Sequence, residues 1–328
     1  MKRNLRFYFA LMFARGTALV LKLIGRKGTS MPGSWAIILC PDFIGRMPKP
    51  KKIIGITGTN GKTTVSNMIE DVLEDNGIEF MCNRSGTNVA TGVASTLIAN
   101  SHFFGKPKCD LAVFELDERS APNIYPYMQP DIVLCTNIFR DSYKRNAHAE
   151  FILDILNKEI PKGTKLVLNG DDPLCSSIKP ENDRVYFGID HLDTDKKECD
   201  NIVNDVPACP KCHGPLVHDI VRYHHIGRVH CEACGYRSPD IDYLATDIDT
   251  KDMKMNVAVD GKKSEYPLLN STNINIYNAL AAIATLREFG LSEEKIRNSM
   301  EKMGISETRY SEKEVNGRKY ILPLCKVQ

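Results

Sequence analysis

Residues 53–64 read IIGITGTNGKTT, a β-branched apolar run followed by Gly58, Thr59, Asn60, Gly61, Lys62, Thr63 and Thr64. The run at 53–57 has the composition of a buried strand, and the glycines after it let the chain turn sharply before a helix begins. A strand, a glycine loop carrying Lys and Thr, and then a helix is the setting in which backbone N–H groups and a helix N-terminus cradle phosphate oxygens. In that setting Lys62 reaches the terminal phosphates of a nucleotide and the Thr63 hydroxyl holds Mg²⁺. Ile56 occupies the first glycine position of the strict G-x-x-x-x-G-K-[ST] form, so the motif is a variant of it.

Working outward, helical composition at 63–76 and 150–158 alternates with apolar strands at 110–116, 131–136 and 165–169. Short continuous apolar strands separated by helices predict an α/β fold with a mostly parallel sheet made by βαβ crossovers. Asp260-Gly261, between strand-like segments at 253–259 and 264–268, is a good hairpin turn. A strong helix over 274–289 ends at Gly290, and Ser292 caps the start of another that runs to about Met303. Residues 31–50, rich in proline and glycine, read as an irregular connection. No internal repeat or low-complexity tract is present.

Residues 199–240 break this rhythm. Cys209-x₂-Cys212 and Cys231-x₂-Cys234 are separated by 18 residues, the spacing of a tetrahedral Cys₄ zinc ribbon. Pro210 and Gly235 suit the tight knuckles that aim paired thiolates at one ion. Four thiolates leave no open coordination position, so the zinc is expected to be structural. His213, His224, His225 and His230 lie nearby and read as surface residues. Asp240, Asp242, Asp247 and Asp249 follow, and no basic–aromatic surface accompanies the cysteines, which argues against nucleic acid as a partner.

Composition agrees with a folded chain of about two domains: 328 residues, 36.8 kDa, 42% hydrophobic and 26% charged. The formal charge of +2 excludes a generally basic nucleic-acid binder, but it hides a gradient. Residues 1–50 hold nine Lys/Arg against a single acid, Asp42. Arg15 and Lys22 interrupt the apolar runs at 7–14 and 18–21, short of the roughly 20 residues a spanning helix needs. No small-residue cleavage site follows them. Arg15, Lys22 and Arg26 fall on one helical face, so the segment is either packed on the body with a solvated charged face or laid on an anionic membrane. Eleven cysteines, an odd number, fit reduced thiols in a cytosol.

These residues carry a resemblance. GTNGKTT resembles the phosphate loop of the Mur ligase superfamily, the ATP-dependent amide-forming ligases of cell-wall and folate metabolism. The similarity continues through Glu115 in AVFELDE, Thr136-Asn137 in TNIFRD, the NGDDP segment at 169–173 and Asn275-x-x-Asn278. It is strongest to the MurT-like branch, the synthetase subunits of lipid II isoglutaminyl synthase, which share GRKGTSMPG at 25–33 and cysteine pairs after NGDDP. The resemblance implies a central ATP-binding domain over 51–304, interrupted by a zinc-ribbon insertion at 199–240. A basic helical lead at 1–50 precedes it, and 305–328 begins a C-terminal domain that is otherwise missing.

The resemblance further implies that Lys62 and Thr63 meet phosphate and Mg²⁺, that Glu115 is a second metal ligand, and that Asn275, Asn278 and Arg309 contact the nucleotide. Glu115 could instead cap or pair locally, the asparagines could cap a helix start, and Arg309 could be a surface arginine. The family's catalytic aspartate lies beyond Gln328. Thr272 and Thr308 stand where relatives usually have glycine; Lys144 replaces an acid and Ser142 a metal-binding histidine. The implied chemistry is amidation of the D-glutamate α-carboxyl of lipid II through an acyl phosphate. Its ammonia comes from a partner glutamine amidotransferase subunit, GatD-like, and the enzyme works in the cytoplasm at the inner face of the membrane. Two other readings stay open, another Mur-type amino-acid or glutamate ligase and a non-enzymatic nucleotide-binding zinc-ribbon scaffold.

Overall fold

The computed structural model describes residues 1–26, 28–84, 87–140, 149–198, 206–303, 310–315 and 318–323. Three helices lead the chain: α1 (Leu5–Leu23), α2 (Met31–Leu39) and the short α3 (Phe43–Arg46). Strands and helices then alternate as β1 (Lys52–Thr57), α4 (Lys62–Asp75), β2 (Phe80–Cys82), α5 (Ala90–Ala99), β3 (Leu111–Glu115), α6 (Ala121–Ile124), β4 (Ile132–Cys135), α7 (Ala149–Glu159), β5 (Lys165–Asn169) and β6 (Arg184–Ile189). The hairpin β7 (Val217–Tyr223) and β8 (Ile226–His230) precedes β9 (Tyr243–Asp249), β10 (Lys254–Val259) and β11 (Lys262–Pro267). Helices α8 (Asn273–Phe289) and α9 (Glu293–Lys302) and the hairpin β12 (Tyr310–Val315) and β13 (Arg318–Pro323) close the chain.

One sheet of nine strands organises the body, in the order β11-β10-β9-β6-β5-β4-β1-β3-β2. Seven neighbouring strands, from β2 to β9, run parallel, and β10 and β11 add an antiparallel edge. The expected α/β class with a mostly parallel sheet is therefore observed. Successive strand residues go to opposite buried faces: Ile53, Val133 and Leu166 to one, Ile54, Ile132 and Val167 to the other. The first face is covered by the leading helices with α5 and α7, the second by α4, α8 and α9. Burial on both faces explains why these strands read as unbroken apolar runs. The 260–261 turn has φ of 50° and 76°, the double positive φ of a type I′ hairpin.

Two expectations are corrected. Residues 31–50 are largely helical, because their breakers are compatible with a helix: Pro32 sits in the first turn of α2, where no N–H is needed. Gly33 lets α2 approach α5 closely; its N–H donates to Ser95 Oγ at 2.8 Å, and a Cβ there would fall 1.9 Å from Thr91 O. The second correction concerns α1, which packs on the body with Lys22 exposed, as expected, but with Arg15 of the same face drawn into contacts with the chain. Arg15 Nη2 donates to Ser101 O at 3.1 Å, Ser101 Oγ at 3.0 Å and His102 O at 2.6 Å. The side of α1 opposite its buried Phe7, Ala10, Leu11 and Ala14 is apolar and exposed. Among the described residues no helix is long and apolar enough to cross a membrane.

Candidate functional site

Strand β1 delivers the chain to the carboxyl edge of the sheet, and the 58–64 loop turns it into α4. Gly58 and Gly61 take φ of 118° and 84°, which side chains with a Cβ rarely adopt. Space gives a second reason for them. A Cβ on Gly58 would lie 2.2 Å from Thr136 Oγ1, and one on Gly61 would lie 2.3 Å from Asn278 Oδ1. The TN pair after β4 fixes the loop's crown. Thr59 N donates to Asn137 O at 2.8 Å, Asn60 N donates to Asn137 Oδ1 at 3.0 Å, and Asn60 O accepts from Thr136 Oγ1 at 2.6 Å. Gly61 is the N-cap of α4 and supplies no side-chain cap, so the positive end of the helix dipole faces the loop.

Around this turn side chains expected at the site converge. Thr63 Oγ1 donates to Glu115 Oε2 at 2.9 Å, bringing together the two residues assigned to a metal. Glu115, last in β3, is also held by Asn88 Nδ2 at 3.2 Å on its other carboxylate oxygen. Asn83 clamps the Glu115 backbone, donating to its C=O and accepting from its N–H, both at 2.8 Å. Lys62 folds back over the loop, donating to Gly58 O and to Glu118 Oε1, the latter at 2.9 Å with both side chains largely buried. Burial pushes the Glu118 carboxyl up, and the neighbouring Lys62 ammonium opposes that shift.

Helix α8 supplies the facing wall. Asn275 lies in its first turn and donates to Thr272 Oγ1 at 2.9 Å, a contact within the helix start. One turn later Asn278 is buried against Gly61 and donates to Asn275 Oδ1 at 3.3 Å. Arg309, with Thr308, Ser142 and Lys144, lies outside the described residues. Asn83, Asn88 and the role of Glu118 escaped the sequence reading. The polar turn between β2 and α5, at a sheet's carboxyl edge, was the available signal.

The cysteine insertion is joined to this wall. Its four Sγ atoms lie within 4.8 Å of one another, with Cys209–Cys234 and Cys212–Cys231 each at 3.6 Å. A tetrahedron of thiolates about 2.3 Å from a zinc ion has edges of about 3.8 Å, so this donor set fits such an ion. Beyond the thiols, hairpin β7–β8 reaches the sheet edge. Arg222 is buried and donates to Asp171 Oδ2 at 2.9 Å, to Asp195 Oδ1 at 2.9 Å and to the Tyr277 hydroxyl. Tyr277, next to Asn278, donates to Asp171 Oδ2 at 2.7 Å. Desolvation pulls the Arg222 guanidinium down, but Tyr277, Asp195 and Asp171 more than offset it and its net shift is upward. At the hairpin tip Phe139 stacks on Tyr223, with centroids 6.1 Å apart, and packs tilted against His225 at 4.6 Å. Phe139 N donates to Thr59 Oγ1 at 2.9 Å, so the tip lies one residue from the glycine loop. His225, expected at the surface, is buried, with Nε2 3.4 Å from Asp172 Oδ1.

Residues 56–205 match the Mur ligase middle domain. The lipid II isoglutaminyl synthase (glutamine-hydrolyzing) subunit MurT of Staphylococcus aureus is 33% identical over 300 residues, 90% of this chain and 66% of that protein. Its counterpart in Streptococcus pneumoniae is 34% identical over 305 residues, 91% of this chain and 66% of that protein. The chain thus spans 66% of the length of these curated relatives. Among solved structures, a pseudomurein peptide ligase type C from Methanothermus fervidus superposes with a TM-score of 0.65 at 25% identity, covering 86% of this chain and 55% of that one.

Proposed function

The chain belongs to the Mur ligase superfamily, and from that premise we propose that it carries the ATP site of an amide-forming ligase of peptidoglycan biosynthesis. The reading rests above all on the meeting of Thr63 with Glu115 at the mouth of the 58–64 loop, with Lys62 beside them. A hydroxyl and a carboxylate at hydrogen-bond distance, next to a lysine and a helix N-terminus, suit a hard divalent cation and the phosphates it accompanies.

In this reading the loop's N–H groups and Lys62 bind the β- and γ-phosphates, and Asn278 with Asn275 orients the base end of the nucleotide. Lys62 exchanges Glu118 and Gly58 O for phosphate oxygens when nucleotide enters. Thr63 and Glu115 would hold Mg²⁺, which would supply charge neutralisation for phosphoryl transfer. The acceptor carboxylate takes the γ-phosphoryl group, ADP leaves, and ammonia displaces phosphate to leave an amide. Taking the substrate from the MurT relatives, the carboxylate is the D-glutamate α-carboxyl of lipid II, and a GatD-like glutaminase subunit delivers the ammonia. Arg309 would close on the phosphates, and a structural Zn²⁺ would occupy Cys209, Cys212, Cys231 and Cys234.

The test is ATP- and glutamine-dependent amidation of lipid II. It is run with the glutaminase supplied, on this chain and on a form carrying the further third that the relatives have. Amidated lipid II with stoichiometric ADP is expected from the longer form. ATP binding without carboxylate-dependent ADP release in either form would leave a nucleotide-binding scaffold instead.

A further inference from the structure

Helix α1 is apolar on two opposite faces. Phe7, Ala10, Leu11, Ala14 and Leu21 are buried against the body. Leu5, Phe9, Val20 and Leu23 fall on a single stripe at i, i+4, i+15 and i+18, and each is between 58% and 89% exposed. The stripe runs the length of a 19-residue helix, about 28 Å. Aromatic side chains extend it on both sides. Trp35 of α2 meets Phe13 edge-on at 5.5 Å, and Phe103 and Phe104 pack edge-on at 5.1 Å in the turn that Arg3 and Arg15 tie to α1.

We infer that this face is a docking surface for an anionic lipid bilayer, on which α1 lies parallel to the membrane plane. Charge selects that occupant. Residues 1–41 contain seven Lys/Arg and no Asp or Glu, and Lys106 and Lys108 follow the Phe103–Phe104 pair. Arg6 lies on one flank of the stripe, and Arg15 and Lys22 lie on the other, so apolar groups are bordered by cations along the helix. A convex apolar ridge with Phe and Trp at its margins and basic flanks is the composition of helices that sit at the headgroup–acyl boundary. The polar groups that would pair with an acidic protein are outnumbered here by bulky exposed hydrocarbon, which water disfavours and acyl chains accept. No described helix can cross the membrane, so the contact is peripheral. The inference deepens the ligase reading by bringing the site to a lipid-linked acceptor, yet its test uses no substrate, so vesicle binding and amidation can fail separately.

Trp35 is the only tryptophan in the chain, which gives a readout in the unaltered protein. Vesicles of phosphatidylglycerol and phosphatidylcholine in equal parts are expected to blue-shift Trp35 emission and float the protein. Pure phosphatidylcholine vesicles, or 0.5 M salt with the mixed vesicles, are expected to reduce binding at least tenfold. The exposed double variant Phe9→Glu/Leu23→Glu is expected to lose at least tenfold in binding with its unfolding midpoint unchanged. Lys2→Glu/Lys22→Glu repeats the test by charge alone. An unshifted Trp35 spectrum with mixed vesicles would overturn the inference. So would a dimer in light scattering that fails to float and becomes monomeric in the Phe9→Glu/Leu23→Glu variant, since a second copy would then be the occupant.

Discussion

The glycine loop and the four-cysteine insertion both gather groups suited to a small charged ligand, but they keep their shape by different means. The loop hangs between β1 and α4, whose side chains belong to a core of fully buried residues, and the neighbouring Thr136 and Asn137 fix its crown. Its geometry is complete in the protein alone. The cysteine knuckles contribute little hydrocarbon of their own, and their thiols approach in pairs at 3.6 Å. In the loop, the fold builds the site. In the knuckles, a bound zinc ion would complete the fold. The insertion reaches the loop through Phe139 and is tied to the body at Arg222, so each region can be perturbed while the other is watched.

The largest contrast is expected on metal withdrawal. Structural zinc contributes apparent free energies of roughly 10–16 kcal/mol to small isolated domains. Chelation, or Cys209→Ser, is expected to abolish hydrogen-exchange protection in β7 and β8 while β1 and α4 stay protected. Equal loss in all four elements would break the distinction. Next in size is Arg222→Ala, which removes the buried guanidinium shared by Asp171 and Asp195 and leaves Asp171 with Arg228, Nε at 3.1 Å, as its cation. Breaking such a buried pair costs about 3–5 kcal/mol, read as a lower denaturant midpoint. An effect confined to the insertion would show the seam to be weaker than its geometry.

Lys62→Ala acts on the other region. Hydrogen bonds to a charged group contribute about 1.5–3 kcal/mol, so nucleotide affinity should fall roughly 10- to 150-fold in a fluorescent-nucleotide titration. The knuckles should keep their metal stoichiometry in this variant. The smallest effect belongs to the seam: Tyr236→Phe removes a hydroxyl that donates to Pro173 O at 3.2 Å and lies near Ser176 and Ser177. About 0.5–1.5 kcal/mol of stability should go with it, measured by thermal unfolding.

Legibility in the sequence follows the range of the interactions involved. Strands buried on both faces, the Asp260-Gly261 turn, the Gly290 terminus and the Ser292 cap are written locally, and each lies within a residue or two of its expected place. Helix α5 was not legible, because ATGVASTLIA has weak helix formers whose burial, not propensity, holds them. Strand β6 begins with a charged residue and has half-buried positions, which blurs its apolar run. At the candidate site, residues 58–64 announce themselves by spacing. Glu118 meets Lys62 from 56 positions away, and Arg222 meets Asp171 across 51, so no local pattern marks either. The chemistry of single residues could be read; their partners needed the fold.

The most direct measurement is the Mg²⁺ dependence of ATP binding, by calorimetric titration of the parent protein and of Glu115→Gln. A site built by Thr63, Glu115 and the 58–64 loop should bind ATP at least tenfold more tightly with Mg²⁺ in the parent, and Glu115→Gln should lose most of that gain while keeping its fold. Identical Mg²⁺ enhancement in the two proteins, or no ATP binding by the parent at all, would contradict it.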